Sequence, residues 1–171
     1  MATRQLEEKG REVTDKGQER KLLLVDEDAS DLEYYSEVLR HLGYEVRPVE
    51  SYAKAAATLG TERFDLVIVE QGSTDFEGRS VLTRAVEVDQ HVPVLVLTRT
   101  VDADCCLDAL DAGAYEYVQK PLTSAELREL VGDYVKPPED ISFARHGGPV
   151  AAGLVQSSLD GANRDAWRKA S

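Results

Sequence analysis

The sequence is poor in cysteine: of 171 residues only Cys105 and Cys106 carry thiols, and they are adjacent. Neighbouring cysteines are badly disposed for a structural disulfide and lack zinc-ligand spacing, which argues against a disulfide scaffold or zinc module and suits a reducing compartment. Long apolar runs are also missing. No stretch approaches the roughly 20 residues that span a bilayer, and the first residues mix charges of both signs where a secretion signal would be apolar. A cytoplasmic protein without membrane contact is expected. Basic clusters are the third absence: 20 Lys and Arg face 32 Asp and Glu, a net charge of −12. The first twenty and the last thirty-five residues each balance to zero, so the acidic excess lies between them. Such a field repels nucleic-acid phosphates and favours basic protein partners or cations. The chain also lacks a glycine-rich phosphate loop after its first apolar run and a Ser or Cys nucleophile elbow. His41, His91 and His146 have no paired acid in sequence. A catalytic role is not expected.

Residues 1–20 show almost no apolar periodicity and read as a charged, flexible arm. From Lys21 to Lys136 short apolar runs alternate with amphipathic stretches, the pattern of repeated βα units on a parallel sheet. Five strands are predicted, at Lys21–Val25, Tyr44–Val49, Phe64–Val69, Val92–Leu97 and Tyr115–Gln119. Between them, Leu32, Tyr35, Leu39 and Leu42 form one helical stripe that Gly43 ends, and a second helix runs from an N-cap at Ser51 to Gly60. A third is expected near Ser80–Val88 and a fourth over Asp102–Ala112. The fifth starts at a capping box, Thr123 with Glu126, and buries Leu127, Leu130, Val131 and Tyr134. Residues 137–171 carry too few apolar side chains for a second core and read as a largely disordered extension.

The chemistry gathers at the strand ends. Four apolar runs are followed at once by polar residues unsuited to a sheet interior: Asp26 and Glu27, Glu70, Thr98 and Lys120. In an open parallel sheet these carboxyl ends share one edge, where ligands bind. Three carboxylates in one pocket repel, so either one of them takes a proton, or Lys120 and a divalent cation neutralise them. Oxygen donors favour magnesium or calcium over zinc.

The strings VDED at 25–28, FDLVIVE at 64–70, LTR at 97–99 and AGAYEYVQKPL at 112–122, with an eight-residue step from Glu70 to Gly78, resemble response-regulator receiver motifs in the right order. The resemblance covers about two-thirds of the chain. It implies a flavodoxin-like α/β fold, a doubly wound five-stranded parallel sheet of order 2-1-3-4-5. It also implies that Asp26, Glu27 and Glu70 would hold a weakly bound Mg2+, and that Thr98 follows a phosphoryl group. Lys120 would be the family's cation, Pro121 a cis proline that aims it inward, and Tyr117 the aromatic whose rotamer reports the switch.

Two departures bear on function. Glu70 stands where the resembled family has the aspartate that attacks phosphohistidine. The extra methylene shifts the carboxylate by roughly 1 Å, and a misplacement of that size can cost about a hundredfold. Arg99 replaces a small residue, and either covers Glu70 as a permanent counter-ion or points to solvent. Thr74 replaces a proline in the loop after Glu70. The resemblance therefore implies a pseudo-receiver, a protein-binding module of two-component phosphorelay signalling. Its helix 4, strand 5 and helix 5 face would meet a histidine kinase or downstream effector. The alternative is a phospho-accepting receiver that uses Glu70 with Mg2+. Cys105 and Cys106, in the first turn of the fourth helix, read as small buried residues before they read as redox groups.

Overall fold

Ten elements alternate along the chain in the computed structural model, which describes residues 19–136. The extension expected over 137–171, and all but the last two residues of the arm expected over 1–20, lie outside the described residues. The elements are β1 (Lys21–Val25), α1 (Ala29–His41), β2 (Glu45–Val49), α2 (Tyr52–Leu59), β3 (Leu66–Glu70), α3 (Arg79–Val88), β4 (Val94–Thr98), α4 (Ala103–Asp111), β5 (Glu116–Gln119) and α5 (Ser124–Gly132). The strands form one parallel sheet in the order β2-β1-β3-β4-β5, as expected.

Period-two alternation splits the apolar side chains of the central strands between two cores. Leu22, Leu24, Leu66, Ile68, Leu95 and Leu97 pack with Leu32, Tyr35 and Leu39 of α1 and Leu127, Leu130 and Val131 of α5. Leu23, Val25, Val67, Val69, Val94 and Val96 face α2, α3 and α4, where Ala55, Leu82 and Ala109 are buried. Helix starts follow local chemistry: Asp28, Ser51 and Asp102 each accept backbone N–H groups as N-caps, and Thr123 and Glu126 form the expected reciprocal box. Cys105 is buried in the α4 face and its thiol approaches the Thr74 carbonyl at 3.4 Å. Burial first, then Asp102, push that thiol up, opposite to what a reactive cysteine needs.

β3 and β4 each begin two residues later than the apolar runs suggest and continue one residue further. Pairing decides the ends. Glu70 stays in register with Leu97, and Thr98 with Gln119, so the polar groups are the last rungs of the ladder and not loop residues. The loop after β3 then folds back over the strand end. A Cβ at Gly78 would stand 2.1 Å from the Glu70 carbonyl oxygen, so only glycine allows that approach. Gly78→Ala is expected to cost about 1–3 kcal/mol in urea denaturation as the loop is forced off Glu70.

Candidate functional site

Lys120 is the centre of the pocket. It follows β5, its side chain is only 3% exposed, and the peptide to Pro121 is cis. Its ammonium donates to Asp26 Oδ2 at 2.8 Å, Asp31 Oδ2 at 2.8 Å and Glu70 Oε1 at 2.9 Å. Burial works against the charge, but these three carboxylates overcome it and hold the ammonium well above the ordinary lysine range. Strand-end residues from β1, β3 and the end of β5 therefore meet in one place, as the sequence pattern predicts.

Asp26 is buried, and its carboxyl is pushed up to about 6, by burial first and then by the Glu70 carboxyl beside it. Lys120 and the Asp28 N–H, which donates to Asp26 Oδ1 at 2.9 Å, act in the opposite direction. Crowding thus makes Asp26 readier to take a proton than an ordinary aspartate, while Lys120 neutralises it from one side.

Arg99 neither points away nor clamps Glu70. Its Nη2 donates to Asp31 Oδ2 and lies 2.8 Å from both Asp28 Oδ2 and Asp31 Oδ2, while its Nε is 3.8 Å from Glu70 Oε1. The guanidinium ties the loop after β4 to the first turn of α1, across the pocket mouth. Asp28 and Asp31 were not foreseen as pocket residues. Asp31 falls five residues after Asp26, in the first turn of the helix leaving that strand end, and this position was the available signal. Asp31 bridges Lys120 and Arg99.

Thr98 is buried, but its hydroxyl serves its own loop, donating to the Thr100 carbonyl at 2.7 Å and accepting from the Thr100 N–H at 3.3 Å. Tyr117 donates its hydroxyl to Gln71 Oε1 and accepts from the Asp102 N–H at 3.4 Å. Gln71, another residue the sequence did not single out, is buried and also donates to the Ser73 carbonyl at 2.9 Å. It ties Tyr117 to the loop that follows Glu70. Glu77 accepts from the Ser73 N–H and hydroxyl, both at 2.7 Å, which fixes that loop.

Glu27 is exposed, and among the described residues no three His, Cys, Asp or Glu side chains are gathered to hold an ion by direct ligation. The expected direct triad of Asp26, Glu27 and Glu70 is not assembled. A magnesium ion, however, keeps several waters and binds through one or two carboxylates. Asp26 and Glu70 provide two, both already in contact with the Lys120 ammonium.

An open parallel sheet of order 2-1-3-4-5 with a buried lysine among carboxylates at its carboxyl edge defines a flavodoxin-like fold. Residues 22–132 match the response regulator receiver domain, and the chain belongs to that family. It is 31% identical over 110 residues to the transcriptional regulatory protein ZraR of Salmonella typhimurium, covering 64% of this chain and 25% of that protein. It is 33% identical over 111 residues to the transcriptional regulatory protein PmrA of Pectobacterium parmentieri, covering 65% and 50%. The match thus spans a quarter to a half of the length of these relatives. Among solved structures, a CheY-like receiver domain protein from Methanospirillum hungatei superposes with a TM-score of 0.64 at 25% identity, over 68% of this chain and 93% of that one. A response regulator from Chloroflexus aurantiacus gives 0.62 at 28% identity, over 68% and 98%. Among the described residues no helix is long and apolar enough to cross a membrane.

Proposed function

We propose that this receiver domain works as a pseudo-receiver, a protein-binding module of two-component signalling that does not depend on efficient phosphorylation. The observation that carries the reading is the state of Glu70. It takes the acceptor's place with the longer acid, and its Oε1 is already held by Lys120 at 2.9 Å under the Arg99 side chain. Attack on a phosphodonor requires a free, well-aimed carboxylate oxygen. Here one of the two carboxylate oxygens, Oε1, is engaged by Lys120, and Arg99, anchored on Asp28 and Asp31, holds its Nε 3.8 Å from the same oxygen. The carboxylate mimics a phosphoryl group only in part, with one charge and two oxygens.

A protein partner, either a histidine kinase or a downstream effector, suits the acidic surface better than nucleic acid does. The α4, β5 and α5 side is the proposed contact. Val101 and Leu107 are exposed apolar residues in and just before α4, and Tyr115, just before β5, packs edge-on against Tyr134 with ring centres 5.7 Å apart. Coupling between pocket and surface would run through Tyr117 and Gln71, with Thr98 as the hydroxyl that rearranges.

The test is incubation of the full chain with a small phosphodonor and Mg2+, read by intact mass. The wild type should gain no phosphoryl group, and Glu70→Asp should gain one readily. Stoichiometric labelling of the wild type at Glu70 would favour the second reading, a phospho-accepting domain, for which the intact Asp26–Lys120 pair at 2.8 Å is the supporting observation.

A further inference from the structure

Little apolar burial holds α4 in place. Of its nine residues only Cys105 and Ala109 are buried, and Leu107 is exposed. A helix packed that thinly owes much of its position to polar contacts. Three of these reach α4 from residues 71–79, and they are spread along its length. At the N-cap the Asp102 N–H donates to the Tyr117 hydroxyl at 3.4 Å, and that hydroxyl donates to Gln71 Oε1. One turn on, the Cys105 thiol donates to the Thr74 carbonyl at 3.4 Å. Nearer the far end, Arg79 Nη1 donates to Asp108 Oδ2 at 3.2 Å. Their strengths differ. A thiol is a weak donor, and the Arg79–Asp108 pair is exposed and screened by solvent, which leaves the part-buried Gln71–Tyr117 contact as the firmest of the three.

Gln71 is itself rigidly placed. Its N–H donates to the Leu97 carbonyl at 2.7 Å, its carbonyl accepts from the Gly78 N–H at 3.0 Å, and its side-chain amide donates to the Ser73 carbonyl at 2.9 Å. Further along the same loop Phe76 is buried in the core at a φ of 52°, a left-handed conformation that a phenylalanine keeps only where its surroundings hold it. Thr98 takes no part, since its hydroxyl is committed to Thr100. We infer that Gln71 is a positioning residue for α4: it fixes the Tyr117 hydroxyl at the α4 N-cap, so that the loop after Glu70, and not Thr98, sets where the helix stands. Gln71 adjoins Glu70 in the chain, so a shift of that strand end is carried to the helix that exposes Leu107. The inference deepens the pseudo-receiver reading and rests on it only for the use of the α4 side as a contact.

The experiment uses a native thiol as its probe. In the full chain carrying Cys106→Ala, Cys105 is the one remaining thiol, and because it is buried it reacts with DTNB only when α4 opens. Gln71→Met keeps an unbranched side chain and removes the amide, and Tyr117→Phe removes only the hydroxyl. Each should speed labelling about three- to tenfold, the opening expected from the loss of one modest hydrogen bond. The two together should do no more than either alone, because both cut the same contact. Arg79→Met should change the rate by about twofold or less, as suits an exposed ion pair. Urea denaturation of the same proteins separates local opening from global unfolding. Three results overturn the inference: labelling of Gln71→Met at the parent rate, effects of Gln71→Met and Tyr117→Phe that multiply, or a Cys105 that opens only through global unfolding. Phosphodonor labelling at Glu70 is read separately by mass, so a wild type that accepts a phosphoryl group defeats the pseudo-receiver reading and leaves the thiol result standing.

Discussion

Lys120→Met should lower stability at pH 7 by about 3–5 kcal/mol, measured by urea denaturation, the range expected when one partner of a buried ion cluster is removed. Methionine fills much of the volume of the lysine stem, so the loss reports charge and not a cavity. What remains is Asp26, Asp31 and Glu70 without the ammonium that now sits 2.8 to 2.9 Å from each. The pH dependence has a definite sign on both sides. The folded-state lysine lies above its ordinary value of 10.5, so its contribution is complete below that value and is lost as pH rises through the higher folded one. Toward pH 4 the gap between variant and wild type should also narrow, because Asp26, pushed up to about 6, takes up a proton and needs the cation less. A loss below about 1 kcal/mol at pH 7 would mean that the lysine is not the keystone of the pocket.

Asp26→Asn should act in the opposite direction. The carboxyl is pushed to about 6 from 3.8 by burial and by Glu70. The folded protein therefore holds this proton more tightly than the unfolded chain does. That contribution to stability is full below about pH 4 and is lost as pH rises through about 6. In EDTA above pH 6, asparagine should be the more stable, since its amide stays neutral, can donate toward Glu70 and can still accept from the Asp28 N–H. Below pH 4 the two proteins should unfold alike. A variant less stable than wild type at pH 7.5 would show that the charged form of Asp26 is favoured in the fold. The two substitutions together describe a pocket that keeps its lysine firmly and one of its aspartates reluctantly.

The charges at the centre of this pocket are paired within the protein, Lys120 with Asp26, Asp31 and Glu70. Arg99 extends that match to the mouth, where its guanidinium joins Asp28 and Asp31. The side chain is 55% exposed, so solvent screens these contacts and their main effect is to occupy the approach to Glu70. Removing the guanidinium and placing aspartate at 70 are separable changes.

The alternation of five apolar runs with amphipathic stretches made the order of elements, the two-faced core and the helix caps legible before any coordinates. These are local matters: side-chain period, cap chemistry and turn glycines act over a few residues. Polar residues closing four of the runs announced the pocket, since parallel strands bring their carboxyl ends to one edge. Asp26, Glu70 and Lys120 accordingly meet, although 94 residues separate the first from the last. The strand ends were less legible, because register with a neighbour keeps Glu70 and Thr98 on the ladder where hydrophobicity alone would release them.

The sequence by itself determined the sheet, the direction of its helices and which strand ends carry charge, because each follows from the pattern of neighbours along the chain. Only the tertiary structure decided which of those charges touch. Asp31 binds both cations, Thr98 turns to its own loop, and Gln71 takes the Tyr117 hydroxyl. Such choices rest on side-chain torsions and on ångström-scale separations between residues distant in sequence. Coulomb attraction and hydrogen bonding change steeply over those distances, and no periodicity in the chain encodes them.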